Sequence, residues 1–118
     1  MFIPVSSWFA AFALTLLVEL PLVIVMLRAY QPNLARLGFL VVFANLATHL
    51  AVWYVATQLL EVGTSEYVIA AEAWAIAAEA VFYLAAFMRL SPARALAVST
   101  VANVASFGVG RLFEGIWT

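Results

Sequence analysis

YVIAAEAWAIAAEAVFYLAAFM, residues 67–88, is the stretch whose reading decides the fold. It is a run of 22 residues, apolar throughout except for Glu72 and Glu79. Seven residues make two helical turns, so both carboxylates lie on one helix face. A helix of this length and apolarity is of the kind that crosses a bilayer, which takes about 20 residues. A carboxylate near its centre costs about 2.5–3.5 kcal/mol on insertion scales, so partners must come from other helices.

Three further apolar segments, at about 5–27, 37–60 and 95–113, have the same character. Together the four predict an all-α integral membrane protein, a four-transmembrane-helix bundle forming a single domain over 1–118. Composition agrees: of 118 residues, 68% are hydrophobic and 9% charged. Soluble domains run nearer 45–50% apolar and about 25% charged. The charges are five Arg and six Glu, with no Asp and no Lys. Without Cys there are no disulfides, thiolate metal sites or cysteine nucleophiles, and one His excludes a multi-His site within the chain. The net charge of −1 without a basic cluster gives no footprint for nucleic acid. The N-terminus MFIPVSSW lacks a positive region, so the first apolar segment is expected to be retained.

The segments are joined by short polar turns, AYQPNLAR and LSPAR on one side and EVGTSE on the other. Short connections make sequential helices antiparallel neighbours. Arg28, Arg36, Arg89 and Arg94 flank the two Pro-containing turns, and only Arg111 lies at the opposite end. The positive-inside rule then puts those turns in the cytoplasm and both termini outside, with Trp8, Trp53 and Trp117 near the outer interface. The expected setting is a bacterial or archaeal cytoplasmic membrane.

RLGFLVVFANLAT (36–48) and RALAVSTVANVAS (94–106) both read Arg, seven residues, then Ala-Asn-x-Ala-Thr/Ser. Upstream, Glu19 precedes Arg28 by nine residues and Glu79 precedes Arg89 by ten. Two pseudo-repeated hairpins, 5–60 and 67–113, follow, related by a twofold along the membrane normal. The spacing also sets depth. Glu19, Asn45, Glu79 and Asn103 each lie nine or ten residues from their Arg, roughly 14 Å at 1.5 Å per residue. That is near the middle of a hydrocarbon core of about 30 Å. A buried polar layer of Glu19, Asn45, Glu79 and Asn103 is expected, with His49 and Ser106 beside it. Two carboxylates this close cannot both stay ionised. Pro21 should free the carbonyl of Leu17 and kink the first helix beside Glu19. Glu72 and Arg111, at equal depth on adjacent helices, are expected to pair, and Ala70, Ala73, Ala77 and Ala80 to form a close helix contact.

These residues support two functions. The layer can be structural, in a small non-catalytic membrane subunit whose partners are lipid and other subunits or copies of itself. Alternatively Glu19 and Glu79 are the coupling carboxylates of a small oligomeric proton- or cation-coupled transporter or channel. Ligation of a haem or pigment by His49 is more distant, since no motif accompanies it. No enzymatic activity, metal or cofactor is expected, because Ser–His–acid spacing, HExxH, Glu-x-x-His and glycine-rich phosphate loops are all absent. Four helices, a similar length and a Glu in the first of them resemble the small multidrug-resistance transporters. The second core Glu, the two Asn and the hairpin repeat depart from that family, so its function is not carried onto these residues.

Overall fold

The computed structural model describes residues 5–61, 64–87 and 89–112, with 5–8 described in backbone only. Among them are four long helices: α1 (Val5–Leu27), α2 (Leu34–Leu59), α3 (Ser65–Ala86) and α4 (Pro92–Leu112). All four are long and apolar enough to cross a bilayer, which is the build of a multi-pass membrane protein. The bundle measures 41 × 25 × 21 Å, its long side matching a bilayer with its interfacial layers.

Helix starts are set by side-chain caps. The Asn33 carboxamide accepts from the Arg36 N–H (3.2 Å), Ser91 Oγ from the Arg94 N–H (3.2 Å) and Thr64 Oγ1 from the Tyr67 N–H (3.2 Å). Each bond satisfies one of the donors that a first helical turn leaves free. Pro92 follows its cap at the first helical position, where the missing N–H costs nothing. The helices therefore begin at Leu34, Ser65 and Pro92, ahead of the expected 37, 67 and 95, because residues read as turn form the first helical turn.

The four helices form a ring in which α1 and α3 each pack on both α2 and α4. Apolar side chains point outward, with Leu17 74%, Phe39 69% and Ile69 68% exposed. The buried positions include Glu19, Asn45, Glu79, Ser99 and Asn103. Polar groups inside and large apolar groups outside is the distribution that hydrocarbon surroundings demand.

From this layer toward the arginine turns the bundle is solid. Val23, Leu27, Leu37, Val41, Tyr83 and Ala102 are all fully buried there. Lipid removes the hydrophobic drive between helices, so close packing has to hold them, and Ala44, Ala95 and Ala102 let the backbones approach. Phe87 and Leu90 close that end, and Arg94 Nη1 donates to the Tyr30 hydroxyl (2.8 Å), tying the two Pro turns together.

Two expectations are corrected. Pro21 is exposed on the outside of an unbroken α1, two residues from Glu19 and so on the opposite face. It lines no site. Ala70, Ala73 and Ala77 are also exposed and only Ala80 is half-buried. Turning Glu79 and Tyr83 inward fixes the rotation of α3 and carries the alanine stripe to the outside.

A feature with no sequence signal lies in α2, where Val52–Ala56 adopts a wider π-helical turn. Thr57 Oγ1 donates to the Trp53 carbonyl (2.8 Å), and the Tyr67 hydroxyl reaches the Val52 carbonyl at 3.5 Å. Such turns shift the facing of the residues around them. Here Val52 and Trp53 are carried onto the wall of an internal cavity.

Candidate functional site

Each helix contributes one strongly polar residue to the layer, and the side chains meet across hairpins. The Ser106 hydroxyl on α4 lies 2.8 Å from Glu19 Oε2 on α1 and 3.1 Å from its own helix's Asn103 carbonyl. The Thr48 hydroxyl on α2 lies 3.2 Å from Glu79 Oε2 on α3 and 3.1 Å from the Asn45 carbonyl. Each hydroxyl can thus donate to a carboxylate of the other hairpin or turn back onto its own helix. Both asparagines hold their helices in the same way, Asn45 Nδ2 donating to the Val41 carbonyl (3.0 Å) and Asn103 Nδ2 to the Ser99 carbonyl (2.8 Å). Ser99 Oγ donates to the Ile76 carbonyl on α3 (2.7 Å), fixing the depth of α4 against α3.

The two carboxylates are not equivalent. Asn103 Nδ2 also reaches Glu79 Oε1 (3.3 Å), so both Glu79 oxygens have a donor. Glu19 has Ser106 on one oxygen, and its Oε1 has no hydrogen-bond donor among the described residues. Asn45 stands beside Glu19 with its amide committed to Val41 and its Oδ1 also unpartnered. The Glu19 and Glu79 carboxyls are close enough in the layer to act on each other. Two carboxylates can bond only if one carries a proton, and two bare charges buried here would repel strongly. Neighbouring buried carboxyls can relieve that repulsion by holding one proton between them.

Above the layer, away from the arginine turns, all four helices line a half-open cavity of about 410 Å³. Glu19, Thr48, Asn103 and Ser106 face it at its inner end, and Glu79 does not line it. Its walls are mostly apolar, with Leu14, Ala71, Ala75 and Phe107, and its outer part is lined by Trp53, Tyr67 and Arg111. His49 and Glu72 are on the wall. His49 packs edge-on against Phe12 with ring centroids 5.4 Å apart, and its Nδ1 has no partner among the described residues. Glu72 and Arg111 face the same space nearer the outer end. Among the described residues no three of His, Asp, Glu or Cys stand together as a metal site would require.

Sequence reasoning missed the cavity, the unequal status of Glu19 and Glu79, and Tyr83. The Tyr83 hydroxyl is fully buried one turn from Glu79 on the packed side of the layer and has no hydrogen-bond partner among the described residues. The i, i+4 spacing of Glu79 and Tyr83 was its available signal. Comparison with family models, with curated proteins and with solved structures finds no match for this chain.

Proposed function

We propose that the chain is a small proton- or cation-coupled membrane transport module in which Glu19 and Glu79 are the coupling carboxylates. One observation carries this reading: the buried Glu19 carboxyl, with one oxygen that has no donor among the described residues, forms the inner end of a cavity of about 410 Å³. A layer serving only to lock four helices is most stable when packed and fully hydrogen-bonded, since a half-satisfied buried network is worse than an apolar core. Access on one side and close packing on the other is what a carrier needs, to load from one face without leaking to the second. Glu19, at the cavity, is the group that exchanges its proton for a cation; Glu79, behind it, holds the shared proton. Glu72 and Arg111 share the cavity wall nearer the outer end, away from the layer.

Two similar hairpins build the site. Buried positions on α2 and α4 fall in register at a constant spacing of 58: Leu37 with Ala95, Val41 with Ser99, Ala44 with Ala102, Asn45 with Asn103. On α1 and α3 the register is 60: Glu19 with Glu79, Val23 with Tyr83, Leu27 with Phe87. The crosswise pairs Ser106–Glu19 and Thr48–Glu79 are counterparts under the same correspondence.

With the arginine turns cytoplasmic, the cavity extends toward the outside. Single cysteines at Asn33 and Thr64 in this Cys-free chain report the orientation. Thr64 is expected to react with an impermeant reagent from outside and Asn33 only after permeabilisation; the reverse pattern overturns it.

The function is tested in vesicles holding an internal pH dye, with a potential imposed and sodium, potassium or tetramethylammonium supplied outside. Wild-type protein should move protons in at least one condition, and the double variant Glu19→Gln, Glu79→Gln should not, while still assembling. Flux no greater than in protein-free vesicles under every condition, together with stoichiometric companions after purification in mild detergent, replaces this reading with a non-catalytic subunit in a larger complex.

A further inference from the structure

We propose that the Tyr83 hydroxyl is the internal donor that bonds Glu79 when the proton shared by the carboxyl pair departs. The inference rests on the paired carboxyls described above and assigns a positioning residue to that site. Tyr83 is fully buried, and its hydroxyl has no hydrogen-bond partner among the described residues. A buried hydroxyl left unpaired is costly and calls for a reason. Packing is not the reason, because the ring alone fills the space: Tyr83 meets Phe87 and Phe82 through its ring, with centroids 6.4 and 6.2 Å apart. The position four residues past Glu19 on α1, which corresponds to Tyr83, holds Val23, equally buried and without any polar group.

Direction supplies the rest. Side chains on a helix lean toward its N-terminus, and residues four apart share a face. Tyr83 on α3 therefore leans back toward Glu79, close enough for the charges of Glu79 and Glu19 to act on it. In the protonated pair both Glu79 oxygens already have donors in Thr48 and Asn103, and the phenol is idle. Loss of the shared proton leaves a second charge in the layer, and among the described residues the Tyr83 phenolic O–H is the uncommitted donor on its packed side. The titratable groups that act on it are Glu79 on its own helix and Glu19 on α1; α4 brings Ser99 and Asn103, which do not titrate in this range.

The variant Tyr83→Phe keeps the ring and removes the hydroxyl, so it should assemble normally. The readout is the infrared band of the protonated carboxyl pair, followed against pH in purified protein and assigned by its loss in the double variant Glu19→Gln, Glu79→Gln. In Tyr83→Phe the band should persist to higher pH, its midpoint moving up by about one unit, a tenfold change in proton release. Thermal melts should agree in sign. Where the pair holds its proton the variant should melt at the wild-type temperature or above, because an unpaired hydroxyl has gone. Where the proton has left it should melt below wild type. An unchanged band midpoint, or a stability difference that does not vary with pH, overturns the proposal. Neither measurement needs transport, so absent flux with a shifted midpoint would sink the transport reading and leave Tyr83 in this role.

Discussion

Replacing Glu19 by Gln is expected to bring proton flux down to that of protein-free vesicles, whereas replacing Glu79 by Gln should leave part of it. The two residues occupy corresponding places in the hairpins, but only Glu19 faces the cavity. An amide there cannot take up or release a proton, and the Ser106 hydroxyl would still have an oxygen to bond (2.8 Å in the native pair). Shape is retained and chemistry is lost. At position 79 the new amide can keep its oxygen toward Asn103 Nδ2 and put its N–H₂ in place of the oxygen that Thr48 bonds, where the hydroxyl can turn back onto the Asn45 carbonyl and the N–H₂ can donate within the layer. It then supplies permanently the donor that the shared proton supplies in the native pair. Glu19 should remain titratable from the cavity, so residual flux should survive with a changed pH profile. Side-by-side flux measurements on the two variants at several pH values decide it. Equal loss in both variants would mean that the pair acts as a symmetric unit, and greater loss in Glu79→Gln would reverse the assigned roles.

Much of the fold was legible because hydrocarbon surroundings leave few options. Long apolar runs separated by Pro, Gly and Arg have to become helices, and a carboxylate inside one has to turn inward. Burial of Glu19, Asn45, Glu79 and Asn103 could thus be argued from depth alone. The caps were legible too: Asn33, Thr64 and Ser91 are the residue types that end a turn and start a helix, and overlooking them set three helix starts too late. Helix rotation was harder. Ala70, Ala73 and Ala77 suit a close contact by size, but they share α3 with Glu79, and the carboxylate prevails because its exposure to lipid costs far more. The cavity was not legible at all. It depends on where four helices diverge and on the π-helical turn at Val52–Ala56, neither of which has a local sequence cue.

The clearest gap between sequence and structure lies in the two asparagines, and it carries the second large effect. Asn45 and Asn103 occupy identical places in their motifs, yet Asn103→Leu is expected to destabilise the bundle far more than Asn45→Leu. Asn103 Nδ2 bonds the Ser99 carbonyl (2.8 Å), approaches Ser99 Oγ (3.4 Å) and reaches Glu79 Oε1 (3.3 Å). Its removal leaves a buried carboxyl oxygen of Glu79 without a donor, a loss of about 1–3 kcal/mol, and more whenever Glu79 is ionised. Asn45 Nδ2 bonds the Val41 carbonyl, which already serves the helix backbone, and stands beside a Glu19 that Ser106 also holds; its Oδ1 has no partner among the described residues. A leucine of similar volume at 45 removes that unpaired oxygen along with one hydrogen bond, so the net change should stay below about 1 kcal/mol. Reversible unfolding of the two variants in mixed detergent micelles measures the difference directly. Equal destabilisation would mean that both asparagines hold a carboxylate and that the layer is symmetric. A larger effect at 45 would place the essential donor on Glu19 and remove the basis for assigning Glu19 the cavity-facing role.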